Sequence, residues 1–202
     1  MSEYYMFNKP QGCITARRDE RHKTVMDYFP EAMRDTLFPV GRLDSDTEGF
    51  LLVTDDGALC YKLLRPEHHI PKTYYFVATG ELSENEKSLL EGGVKIYKNS
   101  DLITAKAKIE DVKHLTYADI KEYLPEKEQR MSERRALQSA TSGFITITEG
   151  KKHQVRRMLR HVGCKIVYLK RVKMGEVPLD PELALGEYRA LKPRELDSLK
   201  NS

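Results

Sequence analysis

An α+β fold with a mainly antiparallel sheet is what this sequence predicts, and three observations carry that prediction. Short β-branched and aromatic runs occur at residues 4–7, 73–79 and 144–148. Helical segments fall between the runs without a regular βαβ alternation. Gly, Pro and Asp turns bound most of the runs.

The elements follow in order. Residues 4–7 read as a strand ending at the Pro10 and Gly12 turn. Residues 25–29 fit a small helix, with Thr24 as cap and Pro30 as stop. A polar, glycine-bounded loop at 41–49 precedes residues 50–54, which are too short for a typical helix and read as a buried strand. Residues 58–64 form a helix with Asp56 as N-cap and Pro66 beyond its end. After the strand at 73–79, Ser83 and Glu86 make a capping box and Gly92-Gly93 closes that helix. Residues 102–109 alternate weakly as another strand. Residues 116–137 are charged, helix-prone and broken at Pro125, the mark of an exposed excursion. Val155, Met158, Leu159 and Val162 recur at i, i+3, i+4 and i+7, a core-facing helix stripe ending at Gly163. Residues 166–169 read as a strand, the stretch to Lys192 as loop, and residues 193–199 as a last helix.

The 202 residues suffice for one large domain, or for two halves sharing a cleft. Composition is that of a soluble globular protein, and nothing approaches the roughly 20 apolar residues that span a membrane. The N-terminal residues show no signal-peptide pattern. Cys13, Cys60 and Cys164 form no CxxC pair, which fits reduced thiols in a cytoplasm and gives no zinc spacing. The net charge of +3 hides an asymmetry: residues 151–173 hold nine Lys/Arg and no acid, leaving 25 basic against 31 acidic residues elsewhere. That is the electrostatic footprint of a polyanion ligand, although a solvated helix face is the common reading of a basic cluster.

Within 41–49, Asp44, Asp46 and Glu48 place three acids in a short loop. Alone, such acids are turn formers more often than catalysts, and a two-carboxylate glycosidase is conceivable but unsupported by spacing. The longer string GRLDSDTEGFLLVTDDG at 41–57 resembles the GRLD-x-x-T-x-G-L-L-L-x-T-x-D-G motif of pseudouridine synthases related to the small-subunit ribosomal RNA enzyme. Further motifs of that family lie on either side of it, in the family's order. They are Lys9-Pro10-Gln11-Gly12, the segment HHIPKTY at 68–74, EGKKHQVRRM at 149–158, and LDPELALGEYRAL at 179–191.

The resemblance implies a pseudouridine synthase fold, a mixed sheet flanked by helices with two halves around a catalytic cleft. It implies one catalytic domain over 1–202 with a charged insertion at about 113–138. Many relatives carry a small N-terminal S4-type RNA-binding domain ahead of the Lys-Pro-x-Gly element, and none is expected here. Phe50 stands for the usual Leu, and Lys151 for an Arg, losing a bidentate fork.

The implied reaction breaks the N1–C1′ bond of a uridine in ribosomal RNA and joins C5 to C1′. Asp44 matches the catalytic aspartate, whether as nucleophile, electrostatic stabiliser or proton acceptor. Arg156 matches the arginine that pairs with that carboxylate. Tyr74 matches the tyrosine under the target base, its hydroxyl a candidate for the C5 proton. Arg42 matches a residue that fills the gap left by a flipped base. Lys151, Lys152, His153, Arg157, Arg160, Lys170, Arg171 and Lys173 are candidate phosphate contacts, with Lys72 and Gln154 as further RNA contacts. His68 and His69 could join them. No metal or cofactor is implied.

The expected substrate is 16S RNA, free or in a subunit assembly intermediate, with the enzyme cytoplasmic and monomeric by default. The alternatives are the same reaction on 23S RNA, or a non-catalytic ribosome-assembly factor on the same fold.

Overall fold

The computed structural model describes residues 2–97, 101–130 and 132–202. Its strands are β1 (Tyr4–Lys9), β2 (Phe38–Pro39), β3 (Glu48–Thr54), β4 (Lys72–Thr79), β5 (Lys108–Thr116), β6 (Ser139–Ile147), β7 (Lys165–Met174), β8 (Val177–Pro178) and β9 (Tyr188–Ala190). Its α-helices are α1 (Glu31–Arg34), α2 (Gly57–Leu64), α3 (Glu84–Gly92), α4 (Glu126–Gln129), α5 (Glu133–Ala136), α6 (Gln154–His161) and α7 (Pro193–Asn201). The chain forms two compact units, residues 1–72 with 170–202, and residues 73–169. It passes from one to the other within β4 and β7.

The first unit is built on β3. All seven of its residues are buried, so the strand is covered on both faces, which is why it reads as an apolar run rather than an alternation. β1 and β2 pair with β3 antiparallel, β9 pairs antiparallel with β1, and the end of β7 runs parallel to β3 with Gly49 opposite Arg171. One face carries a core of Met6, Phe50, Leu52, Leu59, Leu63 and Leu199 among others. α2 packs there because Asp56 caps it, accepting from the Leu59 N–H at 3.0 Å. Aromatic rings pack elsewhere in the unit, with Phe29 stacked on Tyr188 at 4.2 Å and edge-on to Phe7 at 5.7 Å.

In the second unit β5 pairs antiparallel with β6, and the strand order runs β5-β6-β4-β7. Val77, Ile120, Leu124 and Ala140 form a core, with Tyr75, Tyr117 and Tyr168 against it. α3 starts at the expected capping box, Ser83 accepting from the Glu86 N–H and the Glu86 carboxylate accepting from the Ser83 N–H. The predicted stripe on α6 is confirmed, with Val155, Met158 and Leu159 buried. Apart from the parallel β3–β7 ladder, the pairings given above are antiparallel. The expected α+β class with flanking helices is the class that forms.

Several element boundaries differ from those the sequence predicts, among them the start of β6 at Ser139 and the short strands β8 and β9 in the stretch expected as loop. The strand expected at 102–109 lies instead at Lys108–Thr116, and residue 103 makes only an isolated bridge to Lys95. β5 is mostly exposed and charged, an edge strand whose side chains carry no clean alternation. The strand expected at 166–169 continues to Met174, because pairing with β3 and β8 holds the polar run in extended form. The excursion at 116–137 contains a 3-10 turn and α4 and α5, while Ile120 and Leu124 anchor it in the core. Met131 lies outside the described residues. Among the described residues no helix is long and apolar enough to cross a membrane.

Candidate active site

The candidate residues divide between the units. In the first unit, Asp44 sits on a loop whose ends turn at Gly41 and Gly49, both at positive φ. The loop is held by its backbone. The Lys9 ammonium, wholly buried at the end of β1, donates to the carbonyls of Pro10 at 3.0 Å, Asp44 at 3.0 Å and Thr47 at 2.9 Å. Those three acceptors use all three ammonium donors. Thr15 Oγ1 donates to Leu43 O at 2.8 Å and accepts from Leu43 N at 3.1 Å. Gly12 N donates to Ser45 O at 2.8 Å, and Thr47 N to Asp44 O at 3.1 Å. Leu43 is buried, so the loop is also nailed by an apolar side chain.

This arrangement leaves the Asp44 side chain half-buried and Arg42 exposed, on a backbone that cannot swing freely. The Lys-Pro-x-Gly element thus has a physical job. Its lysine and its glycine N–H both grip the carboxylate loop. Burial pushes the Lys9 ammonium down, opposed by Cys13 and by the carboxylates of Asp46, Asp44 and Glu48. The sequence places Lys9 within a motif, and this role depends on contacts with residues 35 and 38 positions away. The signal available was a lysine ending an apolar strand just before a Pro-x-Gly turn. Thr15 gave no signal at all.

Gly49 closes the loop under tight constraint. Its φ is +101°, and a Cβ there would lie 2.2 Å from the carbonyl oxygen of Arg171. Only glycine allows β3 and β7 to approach this closely.

In the second unit Tyr74 is buried on β4 at 8% exposure, and Arg156 is half-buried on α6. The turn before α6 is organised by Glu149. Its carboxylate accepts from Ala105 N at 2.8 Å, from Gln154 Nε2 at 2.7 Å and from the Lys151 ammonium. Burial pushes the Glu149 carboxyl up, but Lys151, the Ala105 N–H and Gln154 together hold it below its ordinary value. Gln154 Oε1 also accepts from Lys151 N at 2.8 Å.

Several expected RNA contacts are therefore placed differently from a displayed phosphate ligand. Gln154 is buried and spends its amide on the turn. Lys151 is ion-paired to Glu149. Arg171 is buried because strand alternation turns it inward, and Lys72 is buried likewise. Arg157 lies over the Tyr97 ring at 4.5 Å, and Lys173 pairs with Glu176 at 2.6 Å. Lys152, His153 and Arg160 are exposed, Lys170 half-exposed, and His68 and His69 exposed.

Comparison with known proteins gives this arrangement its family. The profile described as RNA pseudouridylate synthase matches residues 3–161. The chain is 44% identical to "Uncharacterized RNA pseudouridine synthase YtzG" of Bacillus subtilis, over 97% of this chain and 72% of that protein. It is 33% identical to "Ribosomal small subunit pseudouridine synthase A" of Escherichia coli K12, over 97% of this chain and 73% of that protein. A solved structure titled "Crystal structure of pseudouridylate synthase" superposes with a TM-score of 0.79 at 32% identity, covering 98% of this chain and 74% of that one. The chain belongs to the RNA pseudouridylate synthase family, isomerases that act on RNA.

Proposed function

We propose that this chain converts one uridine of 16S ribosomal RNA to pseudouridine, with Asp44 as the catalytic carboxylate and residues 1–202 working as one catalytic domain. The observation that carries the chemistry is the backbone clamp on the Asp44 loop, which Lys9, Gly12 and Thr15 all hold by hydrogen bonds. A carboxylate that must meet a single ribose carbon gains from such preorganisation, since misplacement by an ångström costs rate steeply. The choice of ribosomal RNA rests on the Escherichia coli relative, which is named as a ribosomal small-subunit enzyme.

In this reading the uridine leaves its stack and Arg42, exposed on the loop, fills the gap. Asp44 acts at the electron-poor ribose as N1–C1′ breaks. The uracil turns, C5 bonds to C1′, and the proton lost from C5 is balanced by one gained at N1. Tyr74 stacks with the base and its hydroxyl is the candidate acceptor of the C5 proton. Arg156 supplies positive charge to the reacting carboxylate. Lys152, His153, Arg160 and Lys170 meet phosphates. The enzyme works as a cytoplasmic monomer on ribosomal RNA or on an assembly intermediate.

The test is pseudouridine mapping of unmodified 16S and 23S RNA, free and in subunits, after incubation with the wild type and with Asp44→Asn. One new 16S site made by the wild type alone is expected. A site in 23S RNA would move the target, and a site made equally by Asp44→Asn would remove the carboxylate from the mechanism.

A further inference from the structure

Two cations lie buried inside the first unit, each meeting one backbone acceptor among the described residues. Lys72, at the start of β4, is 9% exposed, and Arg171, on β7, is 3% exposed. The Lys72 ammonium has three N–H donors, and Ile70 O accepts one at 2.9 Å. Arg171 Nε donates to Phe50 O at 2.7 Å, while its Nη2 is buried with no hydrogen-bond partner among the described residues. Burial, and after it the neighbouring Arg171 charge, push the Lys72 ammonium down to about 8. Buried charges are costly unless an opposite charge and further acceptors meet them. A buried donor left over in a folded protein calls for a ligand, an ion or a water.

The location narrows the ligand. Arg171 is the register partner of Gly49, the residue that ends the Asp44 loop. The backbones touch so closely there that no side chain fits at position 49. Lys72 is the more exposed member of the pair and Arg171 the inner one.

We propose that Lys72 and Arg171 form a receptor for a single anionic phosphate oxygen of the RNA strand, bound beside the end of the Asp44 loop. This rests on the reading that the substrate is RNA. A non-bridging phosphate oxygen supplies what the pair lacks, a negative charge that accepts from both an ammonium and a guanidinium. A neutral uracil or ribose oxygen would accept a hydrogen bond and leave the charges uncompensated. Lys152 and Arg160, exposed to water, steer the polyanion. The buried pair fixes where one nucleotide stops.

The experiment reads Lys72 itself. Protein with 13C at the lysine ε-carbons is titrated by NMR between pH 6 and 11, and Lys72→Met identifies the Lys72 resonance. The titration is repeated with inorganic phosphate, with uridine nucleoside, and with oligouridylate at a concentration shown by fluorescence anisotropy to saturate the protein. Inorganic phosphate and oligouridylate should each raise the Lys72 midpoint by about one pH unit or more, and uridine should not. Lys72→Met should weaken oligouridylate binding by about tenfold, with Lys72→Arg restoring most of it. Three results overturn the proposal. They are a midpoint unmoved by saturating oligouridylate, a midpoint moved as far by uridine, and affinity unchanged in Lys72→Met. None of these readings needs turnover. A wild type that makes no pseudouridine would refute the proposed function and leave this titration standing.

Discussion

Replacing Lys9 with methionine tests whether the carboxylate loop is held from behind. Methionine has similar volume and removes only the ammonium. Three carbonyls then lose a charged donor. Asp44 O keeps the Thr47 N–H at 3.1 Å, and Pro10 O keeps the Cys13 thiol at 3.5 Å, so two of the three lose part of their bonding and not all of it. Hydrogen bonds to a charged group contribute about 1.5–3 kcal/mol each. Release of the buried ammonium's desolvation cost returns part of that sum. A net loss of about 3 kcal/mol is expected. For a chain of this size that lowers Tm by about 6–12 °C. Urea unfolding should show a lower midpoint at unchanged m-value. Turnover should be assayed at 15 °C, where the variant remains folded. There kcat should fall by at least tenfold while KM for RNA moves little, because the loop's geometry is lost and the exposed phosphate contacts are not. A variant with the wild-type midpoint and kcat would refute the claim that Lys9 holds Asp44 in place.

Other consequences follow from particular contacts. Gly49→Ala forces a Cβ to 2.2 Å from the Arg171 carbonyl at a φ of +101°. It should destabilise by more than about 3 kcal/mol or prevent soluble expression, and a normal denaturation midpoint would count against the close approach. Asp56→Ala removes the α2 cap and the 2.7 Å bond from the Tyr4 hydroxyl, and should cost about 1–2 kcal/mol in urea unfolding without changing RNA affinity. Lys72 has its folded pKa near 8, below the ordinary 10.5. Between those values the unfolded chain binds more protons, so its contribution to stability rises with pH and is lost as pH falls through 8. The stability of the wild type relative to Lys72→Met, measured by denaturation from pH 7 to 11, should rise over that window. Arg160→Ala should reduce the slope of log K against log salt for RNA binding by about 0.7–0.9, and an unchanged slope would remove Arg160 from the phosphate contacts.

Much was legible in the sequence because it is written locally. Capping at Asp56 and at Ser83 with Glu86, the glycine ends of the 41–49 loop, the apolar β3 run and the α6 stripe all depend on neighbours a few residues away. The ordered motifs gave the family and pointed to Asp44, and the charge asymmetry pointed to a polyanion. Tertiary structure decided what depends on distant partners. Lys9 became a loop clamp because β1 brings its ammonium to carbonyls 35 and 38 residues on. Gln154 and Lys151 were claimed by Glu149 and so spend their polarity inside the fold. The 170–174 run continues β7 because β3 and β8 pair with it, and that pairing turns Arg171 inward while Lys170 stays half-exposed. A sequence counts charges. Whether a charge faces water, a carbonyl or another charge is set by strand register and burial, and those exist only once the chain has folded.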